Sequence, residues 1–167
     1  MLNAKAPALF KRPVRLLKGI STLGDLDNTP VSVTASVTLT AASHAGRLMV
    51  FSIASGATVT LPAAAGRGDM YRFFVNTTVT SNSDIIKVAN ATDIMAGLAI
   101  QSQDGGNTVQ AWETAADSDT ITLNGSTTGG IKGDFVELID VASGLWFVRI
   151  VGSATGTEAT PFSATVS

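Results

Sequence analysis

From Val31 to Thr40 apolar and hydroxyl residues alternate: Val31, Val33, Ala35, Val37 and Leu39 against Ser32, Thr34, Ser36, Thr38 and Thr40. A period of two puts the apolar set on one side of an extended chain, so a half-buried strand with a hydroxyl outer face is predicted. Similar short segments follow at residues 47–54, 57–61, 70–78, 84–88, 95–100, 108–112 and 120–123. Within 70–78, Tyr71, Phe73 and Val75 share one face. Residues 134–141 and 145–151 are joined by Ala142-Ser143-Gly144, which predicts a hairpin with a three-residue loop.

Between these segments stand Ser55-Gly56, Asn82-Ser83-Asp84, Asp104-Gly105-Gly106-Asn107, Asn124-Gly125 and Gly129-Gly130. Glycine and asparagine accept positive φ at little cost, so these read as turns. About ten short strands so punctuated predict an all-β fold, a β-sandwich or jelly-roll-like body over residues 31–167. Residues 1–30 lack the alternation and contain Pro7, Pro13 and Pro30. Each proline biases its predecessor away from helix. An extended N-terminal arm is expected there, with room for a short helix between Val14 and Ile20. Residues 62–66 are a second helical candidate. The tail from Gly152 to Ser167 reads either as a last edge strand or as a strap across a neighbouring subunit.

Charge changes the picture at the N-terminus. Residues 1–18 carry Lys5, Lys11, Arg12, Arg15 and Lys18 and no acid, whereas the rest of the chain holds 6 basic and 13 acidic residues. An overall charge of −2 therefore conceals a +5 arm and a −7 body. Such asymmetry points to an acidic partner for the arm, either nucleic acid or a negative protein surface, while the body would repel phosphate. Leu9, Phe10, Val14, Leu16, Leu17 and Ile20 give the same stretch more apolar surface than a freely solvated tail would carry. A docked arm is expected. It has no apolar core of the kind a secretory signal needs, and no run of about 18 apolar residues predicts a membrane-spanning helix. Threonine occurs 21 times, against 5 lysines and 3 glutamates. Edge strands are normally blunted by charge, so charge-poor strands predict surfaces covered by other subunits.

The candidate chemistry is thin. There is no cysteine, which removes disulfides, thiolate nucleophiles and thiolate zinc sites. His44 is the one histidine and lies among small residues, a turn position rather than part of a triad. Asp117 and Asp119 could share a strand face, and Asp134 and Glu137 flank the hairpin. Paired carboxylates can hydrolyse glycosides or hold calcium. At strand ends, however, aspartate is expected simply as a turn former. Arg67-Gly68-Asp69 is the tripeptide that integrins recognise, here between glycines that suit a tight connection. Gly129–Gly133 has a lysine but not phosphate-loop spacing. Trp112 and Trp146 fall in strand-like segments, where core packing explains them. No enzyme activity, cofactor or metal is expected.

One set of motifs carries a resemblance. In order they are Ala57-Thr58-Val59-Thr60-Leu61-Pro62, Gly66-Arg67-Gly68, Tyr71-Arg72-Phe73, residues 119–125, Gly129-Gly130 through Gly133-Asp134 to Leu138, Gly144-Leu145-Trp146 and Thr160-Pro161-Phe162. Together they resemble a β-domain of tailed-phage virion proteins, the capsid decoration (cement) and head-fibre proteins. The resemblance covers roughly two thirds of the chain, by order and spacing rather than by any single motif. It implies a structural virion protein, often a homotrimer, on the capsid exterior, assembled in the host cytoplasm and bound to the major capsid protein. It implies no direct nucleic-acid or membrane contact. The capsid-binding arm would use Leu9, Phe10, Leu16 and Leu17 as apolar anchors and Lys11, Arg12, Arg15 and Lys18 for polar contacts. The alternative is a tail-fibre or head-fibre module that recognises cell-surface glycan through Trp112 or the Asp104–Asn107 loop.

Overall fold

The computed structural model describes residues 29–166. The expected arm contacts, Leu9, Phe10, Lys11, Arg12, Arg15, Leu16, Leu17 and Lys18, lie outside the described residues. Apolar alternation builds the rest into a two-layer β-sandwich. The strands are β1 (Val31–Val33), β2 (Val37–Thr38), β3 (Leu48–Phe51), β4 (Thr58–Thr60), β5 (Met70–Val75) and β6 (Asp84–Lys87). They continue with β7 (Ile94–Gln103), β8 (Val109–Glu113), β9 (Thr120–Leu123), β10 (Phe135–Ala142), β11 (Leu145–Ala154) and β12 (Phe162–Ser163). A single turn of helix, α1 (Ala41–His44), links β2 to β3. One sheet has seven strands in the order β1-β3-β5-β10-β11-β7-β8, the other five in the order β12-β9-β6-β4-β2.

The alternation expected over 31–40 is real, but the strand is not continuous. It breaks at Thr34–Ser36, so β1 joins the seven-stranded sheet and β2 the five-stranded one. Both sheets face the same core, so the period survives the crossing: Val33 and Leu39 are both buried. The first six strands repeat this move, alternating between the layers. Neighbours within each sheet, β1 with β3, β3 with β5, β2 with β4 and β4 with β6, are parallel. In the second half of the chain β10 and β11 form the expected hairpin. Its loop is Ser143-Gly144, one residue shorter than predicted, because a bulge between Asp140 and Ala142 absorbs the difference. Of the tail, Gly152–Ala154 extend β11, and only Phe162–Ser163 form an edge strand, β12 pairing β9.

Residues 62–66 form no helix. Five residues make a poor helix nucleus, and distant carboxylates take their amides instead. Asp93 Oδ2 accepts the Ala64 N–H at 2.8 Å, and Asp140 accepts those of Ala65, Gly66 and Arg67 at 2.6–3.1 Å. At the Ser55-Gly56 turn, Gly56 has φ +74, and a Cβ there would lie 2.4 Å from the Ser83 carbonyl oxygen. Only glycine fits.

Between the layers lie Met49, Phe51, Val59, Leu61, Phe73, Ile86, Ile121, Leu123, Leu138, Val148 and Ile150, all essentially without solvent contact. Each large side chain so buried contributes about 1.5–3 kcal/mol. Phe51 stacks on Phe73 with centroids 5.7 Å apart, and Tyr71 meets the buried Trp146 edge-on at 5.5 Å. Trp112 packs against the same cluster from β8. The Tyr71 hydroxyl is pushed up to about 12 by burial, reinforced by Asp69 and Asp140.

Candidate interaction surface

The residues that alternate with the core set form the two outer faces, and these differ. On the seven-stranded sheet the register aligns Ser32, Val50, Phe74, Phe135, Val151, Ile100 and Ala111 in one row across all seven strands. A second apolar row runs Met70, Ile139, Phe147 and Ala96. Between them lies a row of Leu48, Arg72, Glu137, Arg149, Leu98 and Glu113. Val151 is 52% exposed, Ile100 41%, Leu98 40% and Phe147 37%. Arg149 reaches Glu137 at 3.0 Å across the β10–β11 pair. Arg72 donates to the Gly46 carbonyl at 3.0 Å.

On the five-stranded sheet the corresponding rows are Thr38, Thr60, Lys87, Thr120 and Ser163, and Thr58, Ile85 and Thr122; Thr120 among them is buried, its hydroxyl bonded to Asp119 and Thr165. This face is rich in hydroxyls and carries the Lys87 ammonium. The shallow groove lined by Ser36, Thr38, Thr58, Thr60 and Lys87 belongs to it.

The carboxylates singled out in the sequence are not brought together. Asp117 lies in an exposed turn and Asp119 is buried, so they share no strand face. Asp119 instead fastens the C-terminal segment: Oδ1 accepts the Thr165 N–H at 2.8 Å and Oδ2 that of Val166 at 3.0 Å. Asp134 points inward, where its carboxylate accepts the amides of Gly130 at 2.8 Å, Ile131 at 3.1 Å and Ser153 at 2.8 Å. Burial raises its pKa, with those amides opposing. Glu137 stands on the other side of the sheet with Arg149. The Arg67-Gly68-Asp69 loop is exposed and held from beneath by Asp140. His44 closes α1, and its Nδ1 accepts the Thr40 N–H at 3.0 Å. Trp112 is on the inner side of β8, opposite buried Ala99, and the Asp104–Asn107 loop is exposed.

Among the described residues no three acidic or histidine side chains converge on a point where a metal could sit. No helix there is long and apolar enough to cross a membrane. Several interior groups depart from the pattern of satisfied polar atoms, among them the indole N–H of Trp146 and of Trp112, Asp84 and Gln101. Asp84 is fully buried; Oδ1 accepts the Ala57 N–H at 3.1 Å, but Oδ2 has no partner. Burial pushes its carboxyl up to about 7, the Ala57 amide opposing this. Gln101, also fully buried, has neither side-chain oxygen nor nitrogen paired.

The apolar rows were not read from the sequence, although a signal was present. Phe135–Val136, Leu138–Ile139 and Leu145–Val148 are apolar on consecutive positions, where a strand with one wet face would alternate. Comparison with protein-family models, curated proteins and solved structures gives no match to this chain.

Proposed function

We propose that this protein is a structural component of a tailed-phage virion, a decoration protein held on the outside of the capsid. The observation that supports the reading is the pair of apolar rows on the outer face of the seven-stranded sheet. Such a surface is costly to leave in water and is a mark of association. The motifs behind the resemblance also have structural work in this fold. Gly129-Gly130 with Asp134, Asp119 with the tail, and Gly144 at the hairpin are its turns and cross-links.

In this reading the β-body stands on the shell, and residues 1–20 reach the coat protein. Leu9, Phe10, Leu16 and Leu17 supply apolar contact, and Lys11, Arg12, Arg15 and Lys18 meet acidic groups. The added area at lattice junctions opposes internal pressure. Binding that mixes both kinds of contact weakens with salt only in part, unlike phosphate binding alone. The test is pelleting with capsids at two salt concentrations. Removing residues 1–20 leaves the body folded and abolishes pelleting, and Phe10→Asp or Leu16→Asp weakens it more than Lys11→Ala. Full decoration by the truncated protein removes the arm as anchor and moves attachment to the β-body; binding to whole cells or glycans instead of capsids overturns the reading.

A further inference from the structure

The outer face of the seven-stranded sheet carries an arrangement of charge that matters to what covers it. Its central row places Arg72, Glu137 and Arg149 on adjacent strands, flanked by Leu98 and then Glu113. The face can be laid on a copy of itself, rows in register, about a two-fold axis in one of two directions. An axis across the strands stacks Glu137 on Glu137 and Arg149 on Arg149. An axis along the strands, midway between β10 and β11, stacks Glu137 of each copy on Arg149 of the other. It also lays Phe135 on Val151 and Phe74 on Ile100 in one apolar row, and Ile139 on Phe147 in the other. Like charges repel in the first arrangement, whereas the second sets Glu137 against Arg149 at its centre and apolar groups against apolar groups in the two outer rows; farther from the axis it sets Arg72 against Leu98 and Leu48 against Glu113.

We propose that this face is a self-association surface, on which a second copy of the chain packs the same face about a two-fold axis along the strands between β10 and β11. Strand directions stay aligned in that pairing, as in sandwich packing, where the stacked sheets lie about 10 Å apart. The size is adequate. Six strands at about 4.8 Å and three rows at about 7 Å give a footprint of roughly 30 by 20 Å. That is on the order of 600 Å² per copy, or about 1,200 Å² in total, the lower bound of a specific interface. The Glu137–Arg149 pair already formed within each copy is buried with its partner present, which avoids an uncompensated charge. A two-fold pair also differs from the three-fold assembly implied by the resemblance. The inference does not depend on capsid binding.

The test is the mass of the full chain by light scattering or sedimentation. A dimer of about twice 17.1 kDa is expected. Val151→Asp, at an exposed position that leaves the fold intact by circular dichroism, weakens association at least tenfold, while Thr60→Asp on the opposite face leaves it unchanged. Glu137→Lys alone and Arg149→Glu alone each weaken it similarly. Mixed together the two variants associate again, since the introduced lysine of one then faces the introduced glutamate of the other. A monomer at high micromolar concentration, a trimer, association indifferent to Val151→Asp, or a mixture that stays monomeric overturns the proposal.

Discussion

The two outer faces of this sandwich are built from the same backbone rule and end with opposite surfaces. On the five-stranded sheet the outward positions are Thr38, Thr58, Thr60, Thr122 and Lys87; on the seven-stranded sheet they include Phe74, Phe135, Ile139, Phe147 and Val151. The interiors do not divide the same way. Asp134 and Asp140 at β10 and Asp119 beside β9 have their carboxylates filled by backbone amides, whereas Asp84 on β6 and Gln101 on β7 each leave polar atoms unpaired. Outward threonines make a face that is stable in water, so most of that layer's apolar content, Ile85 apart, is available to the core. The other layer keeps apolar groups on both sides, which the fold of one chain does not require. On the proposed self-association, that surplus serves assembly rather than the stability of one chain.

The sharpest check of this contrast lies within one strand. Ile150→Ala, facing the core from β11, should cost about 3 kcal/mol in denaturant unfolding, as buried isoleucine truncations do. Val151→Ala, the next residue but facing out, should change the stability of the dissociated chain by about 0.5 kcal/mol or less. Similar losses at both positions would mean that the outer row stabilises the single chain.

The next effect concerns the unpaired carboxyl. In the folded state Asp84 holds its proton up to about pH 7, against an ordinary value near 3.8. Below about pH 4 both folded and unfolded chains bind that proton. Between about 4 and 7 the folded state binds more, so stability falls as pH rises through this window and levels off above it. The shift represents at most on the order of 4 kcal/mol. Allowing for local relaxation, Asp84→Asn should raise stability at pH 8 by about 2 kcal/mol and flatten the slope between pH 4 and 7. Asp134, also raised by burial, contributes in the same direction. An unchanged slope in thermal melts of Asp84→Asn would sink this assignment.

Converting the hydroxyl face is expected to do less. Thr60→Val with Thr122→Val should alter stability by about 0.5 kcal/mol or less but delay elution from a hydrophobic column, making this face resemble the other. A loss of several kcal/mol would show that the hydroxyls are structural. An effect of the same small size is expected for the Glu137–Arg149 pair measured in the dissociated chain. With Arg149 54% exposed, a double-mutant cycle in the Val151→Asp background should give roughly 0.5 kcal/mol, falling with added salt. A larger value would place the pair in the stability of the single body instead of in association.

Much of this protein was legible in its sequence. Period-two alternation and glycine or asparagine turns determine an all-β sandwich, because a strand's faces are set by its own residues and a turn by its own φ values. Residues 120–123 match β9 throughout, and 84–88 and 108–112 fall within a residue of β6 and β8. What tertiary structure alone decided is which strand neighbours which. The alternation from Val31 to Leu39 is the same for one strand or for two in different sheets, because both sheets point at one core. The amides of 64–67 are taken by Asp93 and Asp140, distant in sequence, so no local pattern excludes a helix there. The apolar rows exist only because register brings Phe74, Phe135, Val151 and Ile100 side by side from four strands spread between residues 70 and 154. Each is an ordinary residue in its own segment, and only pairing through the backbone makes them one surface.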